Sequence, residues 1–438
     1  MNGLLSGLLP VGLREREVVA WLGLNTPLQL QLLDACIARG AVLMPLNWRL
    51  APAELAAQLR HAGATHLLHD PGHADLAAAL RPALAPPGPA DGIETGDALL
   101  VYTSGTTGEP KGALHTVAGI AANVAAAVDA QGLTSADRVL AVLPMFHAGG
   151  LAIQVLPAWR LGAGLQIHPR FDAEAWFDAV EQWRPTTSLL VPAVMRALVE
   201  HARWPGADLS SLRFVNSGSQ IVPRALIEAF HARGVPVAQV YGASETGPVS
   251  LVLRPEEARA QVGCVGRPAL GVQVRLGPDG EILLKAPNLM RRYHRQVATG
   301  LDAEGWFATG DLAVEHPGGW FEVVGRSREL IISGGENIHP DSIEQLVHGW
   351  PGIAEAAVVG LPDERWGEVP VLAVVLHPGT TLDEAALRTH LAGRLARFKL
   401  PRHVVRLDGL PRTALGKVAR DPLRRDLVGR VARAGGET

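Results

Sequence analysis

The chain has 438 residues, 47% of them hydrophobic, and a formal net charge of -3. That length admits two or three domains with sizeable cores, and a near-neutral charge without a long basic run gives no reason to expect a nucleic-acid surface. The two cysteines, Cys36 and Cys264, are too few and too far apart for a disulfide framework or a metal site, which fits a reduced, cytoplasmic setting without a signal peptide or membrane anchor.

Glu17–Leu24 reads as a strand, Leu28–Arg39 as a helix, Ala41–Pro45 as a strand and Ala53–Ala62 as a helix. The Pro/Ala-rich segment Pro82–Pro89 reads as a surface loop. A strand at Ala98–Tyr102, a helix at Leu114–Ala130 and a strand at Arg138–Leu143 follow, then strands at Ser188–Val191, Phe214–Ser217 and Val237–Tyr241 with helices between. This alternation predicts an α/β architecture with parallel strands. From Gly325 onward the grammar changes. Asp341-Ser-Ile-Glu344 and Thr381-Leu-Asp-Glu384 read as capping boxes, the second opening a helix to about Arg397. Strands are predicted at Ala356–Gly360, Val369–Leu376 and His403–Leu407. The expected division is a large N-terminal α/β domain over 1–326 and a small α+β domain over 327–438, with the boundary near Arg326–Arg328.

The segment with the most chemistry follows the strand ending at Tyr102: Thr103-Ser-Gly-Thr-Thr-Gly-Glu-Pro-Lys111-Gly112. Gly105, Gly108 and Gly112 let the backbone turn so that amides face inward. Ser104, Thr106 and Thr107 offer hydroxyls, and Lys111 a compact positive charge. A helix just beyond would add its dipole. A generic Gly-rich loop is more often plain surface. Here, however, Lys111 is one of four lysines among 40 basic residues, which favours a phosphate cradle. It is not a Walker loop, because Pro110 precedes Lys111 and Gly112 follows it.

Tyr102–Gly112 resembles the signature loop of the adenylate-forming superfamily, which includes acyl- and aryl-CoA synthetases. Further segments match that family's motifs in order: Pro144-Met-Phe-His147, Tyr241-Gly-Ala-Ser-Glu245-Thr246, Trp306-Phe-Ala-Thr-Gly-Asp311, Gly325–Ile338 and Pro411–Lys417. The resemblance implies an ANL-type fold with a mobile C-terminal domain hinged near Arg328. It also implies ATP and Mg²⁺ as reactant and cofactor, and coenzyme A as co-substrate.

Residue by residue, the resemblance implies that Thr103, Ser104, Gly105, Thr106, Thr107, Gly108 and Lys111 hold phosphate. Gly218, Tyr241, Gly242, Thr246, Asp311 and Arg326 would line the remaining nucleotide site. Glu245 would hold Mg²⁺, with Thr106 as a second contact, His147 would border the carboxylate pocket, and Lys417 would bridge carboxylate and α-phosphate. Gly334, Gly335, Trp366 and Phe398 would meet coenzyme A. Taken alone, Glu245 reads better as a helix-N-terminal carboxylate, while the plain alternatives for Tyr241 and Asp311 are a core tyrosine and a turn residue. Trp366 and Phe398 read equally well as ordinary core or surface aromatics.

The expected reaction joins a carboxylic acid to AMP and passes the acyl group to coenzyme A, releasing AMP and pyrophosphate. Small residues at Gly149, Gly150, Gly242 and Ala243 leave room for an apolar chain or ring. A medium- or long-chain fatty acid is the first expectation and an aryl acid, o-succinylbenzoate among them, the second. A carrier-protein thiol is the alternative acceptor, and a homodimer is the expected assembly.

Overall fold

A computed structural model describes residues 12–103, 111–296, 298–333, 336–363, 366–392, 394–395, 397–413 and 416–435. The first sheet has six strands, in the order Arg292–Tyr293, Lys111–Thr116, Asp97–Thr103, Val42–Leu46, Val18–Leu22 and Ala64–His69. Its last four are parallel, and Lys111–Thr116 returns antiparallel on Asp97–Thr103. The second has seven strands, with Val237–Tyr241, Phe214–Gly218, Thr187–Leu190, Arg138–Ala141 and Gly164–Ile167 running parallel. Continuous burial along Val18–Leu22 and Val42–Leu46 explains their apolar runs without alternation. Helices cover the second sheet, and their side chains Trp176, Phe177 and Phe230 pack into its core.

Individual ends have local causes. The helix Pro27–Arg39 starts where the Thr26 hydroxyl accepts from Leu28 N, and it stops at Gly40, whose φ of 67° is left-handed. The segment after the phosphate loop differs from expectation. Lys111–Thr116 is a strand, and the helix begins only at Val117, capped by Thr116 Oγ1 accepting from Gly119 N at 3.0 Å. The loop therefore closes a hairpin and has no helix N-terminus directly behind it. The run Gly-Ala-Leu-His is too short for its period to separate strand from helix.

A four-stranded antiparallel sheet, Gln273–Leu276, Glu281–Lys285, Phe307–His316 and Trp320–Arg326, follows. A short 3₁₀ turn over Ser327–Glu329 leads to a separate sheet built on Ile353–Asp363 and Gly367–Leu376, with His403–Arg406 parallel to the latter. Neither expected capping box forms. The Glu344 carboxylate instead accepts from Val358 N and pairs with Arg420, whose Nε also lies 2.9 Å from Glu329. Asp383, not Thr381, caps the second helix by accepting from Ala386 N, and that helix ends at Ala392. Among the described residues no helix is long and apolar enough to cross a membrane.

Candidate active site

The carboxyl ends of parallel strands are where an open α/β sheet leaves a crevice, and Tyr241 ends such a strand. Its hydroxyl donates to Asp311 Oδ2 at 2.8 Å, while Arg326 Nε donates to Asp311 Oδ1 at 2.9 Å. Asp311 and Arg326 face each other across two antiparallel strands, so the pairing is built by register. Asp311 therefore lies inside a strand rather than at the expected turn. With each oxygen accepting once, its remaining lone pairs can still receive hydroxyls.

Glu245 sits in a 3₁₀ turn, Ser244–Thr246. Thr246 is 1% exposed, and its hydroxyl accepts from Ala243 N at 2.8 Å, which gives it a part in shaping the turn. Glu245 Oε1 accepts from the Tyr293 hydroxyl at 2.7 Å. Lys111, at the edge of the first sheet, places its Nζ 5.7 Å from the Tyr293 ring centroid.

Two glycines are required by close approach. A Cβ on Gly218 would meet the Val240 carbonyl at 2.2 Å, and one on Gly242 would meet the Pro248 carbonyl at 1.8 Å. Gly218 thus sets the close contact of its strand with Val237–Tyr241.

Lys417 reaches the same place from the C-terminal segment. Thr413 N donates to Lys417 O at 2.8 Å, and Arg412 bridges Val418, so a tight turn presents the side chain. Burial, then the Arg326 charge, lowers the lysine's ionisation, while Asp311, Glu245 and Glu329 oppose that shift. His147 precedes the short helix Ala148–Ala152 and meets Phe146 edge-on, with ring centroids 4.4 Å apart. Its pKa falls to about 3, through burial first and then the charges of Arg49 and Lys417. His147 is thus a neutral imidazole beside the lysine.

Ser104, Gly105, Thr106, Thr107 and Gly108 lie outside the described residues, as do Gly334, Gly335 and the Arg328 side chain. Ser333 pairs with Gly367, which brings the strand end before 334 beside Trp366. Trp366 is 42% and Phe398 39% exposed. Sequence reasoning missed Tyr293, and Arg49 beside His147. Tyr293 carried one signal: it is one of three tyrosines, and it alone fell in no motif used.

His115 and His294 are buried, and burial lowers both pKa values to about 4 from 6.5. The unfolded chain therefore takes up protons first as pH falls. Stability held above about pH 6.5 should decline towards pH 4 by about 1.4 kcal/mol per pH unit for each ring. Urea denaturation from pH 7 to 5 (about neutral to mildly acid) should show a slope that His294→Gln reduces by about one proton; an unchanged slope in the variant contradicts this.

An Asp–Arg–Tyr cluster and a lysine from a later segment thus come together near the end of the strand Val237–Tyr241. Residues 2–294 match the AMP-binding enzyme family and 342–417 the AMP-binding enzyme C-terminal domain. The chain belongs to this family, in its acid–CoA ligase branch, and is an ATP-dependent, AMP-forming acid–thiol ligase using Mg²⁺ and coenzyme A.

It is 44% identical to indoleacetate–CoA ligase of Aromatoleum aromaticum, covering 96% of this chain and 90% of that protein. It is 39% identical to feruloyl-CoA synthase of an Amycolatopsis species, covering 96% and 91%. Among solved structures, o-succinylbenzoate CoA synthetase of Bacillus subtilis in complex with its acyl-adenylate intermediate matches with a TM-score of 0.81 and 30% identity, over 94% of this chain and 88% of that one.

Proposed function

We propose that this chain is an aromatic acid–CoA ligase. The observation that carries the two-step chemistry is the meeting of Lys417 with Arg326, Asp311, Glu245 and His147, drawn from opposite ends of the sequence. The aromatic substrate class is supported by the relatives named above, which act on indoleacetate, ferulate and o-succinylbenzoate. The fatty acid first expected from the small residues gives way to the aryl alternative.

In the first half-reaction a carboxylate oxygen attacks the α-phosphorus of ATP, and the bond to pyrophosphate breaks. Lys417 offsets negative charge on the carboxylate and α-phosphate as they approach. Asp311 receives the ribose hydroxyls, Tyr241 and Arg326 hold Asp311, and Lys111 with the loop holds phosphate. Mg²⁺, a hard cation suited to one carboxylate plus phosphate oxygens, would neutralise phosphate charge; Glu245, whose Oε1 accepts from the Tyr293 hydroxyl, would hold it, with Thr106 the second contact. His147, neutral, orients the acid without adding charge.

In the second, the unit 327–438 turns about Arg328 and withdraws Lys417. It brings the Gly334–Gly335 segment, Trp366 and Phe398 to coenzyme A. The thiol sulfur attacks the acyl carbon, its proton is lost to solvent, and AMP leaves.

A pyrophosphate-release assay with coenzyme A and a panel of acids tests the substrate class. Arylacetic and hydroxycinnamic acids should exceed medium- and long-chain fatty acids in kcat/KM by at least about tenfold. A fatty acid at the head of the panel would return the reading to the first expectation.

A further inference from the structure

Tyr293 lies on the two-residue strand Arg292–Tyr293, opposite Ala113 on the strand that leaves the phosphate loop. Its hydroxyl binds Glu245 and its ring lies under Lys111. Two backbone bonds fix the same segment, Met290 N to Glu245 O at 2.8 Å and His294 N to Gly112 O at 2.7 Å. A single short stretch therefore clamps the Glu245 turn to the lysine end of the loop.

Lys111 and Glu245 carry opposite charges and both flank Tyr293, yet neither takes part in an ion pair among the described residues. A neutral phenol can hold one carboxylate oxygen without cancelling the carboxylate's charge. It leaves Oε2 for a cation, and its ring keeps the ammonium to one side.

We propose that Tyr293 is a positioning residue for the magnesium–nucleotide site, which orients Glu245 towards the metal and keeps Lys111 and Glu245 from pairing with each other before ATP arrives. The proposal rests on the reading of Glu245 as the metal carboxylate and Lys111 as a phosphate contact. Hydrogen-bond partners of metal-ligating groups are worth about ten- to a hundredfold in metal affinity. Removing this hydroxyl would also open Glu245 to direct pairing with Lys111, which acts in the same direction.

The test is calorimetric titration of ATP at several Mg²⁺ concentrations, without acid or coenzyme A, with AMP binding alongside. It compares wild type, Tyr293→Phe and Glu245→Gln. Tyr293→Phe should raise the half-saturating Mg²⁺ concentration about tenfold and leave AMP binding unchanged. In turnover it should raise the apparent KM for MgATP more than it lowers kcat. Glu245→Gln should lose at least as much Mg²⁺ dependence. If Glu245→Gln binds MgATP like wild type, the reading of Glu245 itself fails. If Glu245→Gln is impaired while Tyr293→Phe is unchanged or tighter, the Tyr293 proposal fails alone. Equal loss of AMP and MgATP binding in Tyr293→Phe would mark a general structural role and overturn it too.

Discussion

Lys417→Ala should abolish acid-dependent adenylate formation, lowering it by about a thousandfold or more, while thioester formation from supplied acyl-adenylate stays within about threefold of wild type. The asymmetry follows from geometry. The ammonium lies in the field of Arg326, Asp311 and Glu245 and acts on His147 in turn, the cluster proposed above to carry adenylation. The lysine projects from the C-terminal segment between Thr413 and Val418, whereas Asp311 and Arg326 lie on paired strands and Glu245 in the 3₁₀ turn Ser244–Thr246. If that segment leaves for thiol transfer, the lysine takes no part in the second step. Rapid-quench measurement of each half-reaction decides this, and equal loss of both would count against a moving C-terminal unit.

Asp311→Asn should weaken AMP binding by about a hundredfold, the equivalent of two charge-assisted hydrogen bonds at about 1.5 kcal/mol each. Asp311 is 7% exposed and already accepts from Tyr241 and Arg326. Replacing one oxygen with an amide nitrogen turns an acceptor into a donor facing either the tyrosine hydroxyl or the guanidinium, so the carboxylamide cannot satisfy both neighbours and the ribose. The informative control is 2′-deoxy-AMP. Wild type should discriminate against it, and the variant should bind both nucleotides with similar weakness. Retained discrimination in Asp311→Asn would place the ribose elsewhere.

Seven parallel strands of the two large sheets were legible, most plainly where burial on two faces writes an unbroken apolar run, as at Val18–Leu22 and Val42–Leu46; Ala64–His69 and Gly164–Ile167, largely half-buried, went unread. The site motifs were legible because scarce residue types stood in them, Lys111 and Lys417 above all. What sequence could not carry was pairing between distant segments. Asp311 looks like a turn residue after Thr309-Gly310, and only its register opposite Arg326 makes it a strand position. Lys111–Thr116 follows a glycine-rich loop and precedes a true helix, and only the hairpin with Asp97–Thr103 makes it a strand. Glu344 has the spacing of a capping residue, but Arg420, 76 residues away, claims its carboxylate. Scarcity was the one signal at Tyr293, and it could not name the partner, because Glu245 is 48 residues distant.

The most direct test of the account is to incubate the protein with ATP, Mg²⁺, coenzyme A and indoleacetate or ferulate, and to resolve nucleotides and thioesters by chromatography. The account predicts AMP, pyrophosphate and the aryl-CoA thioester in equal amounts, all dependent on the acid. ADP and phosphate as products, or AMP released without any thioester, would contradict it.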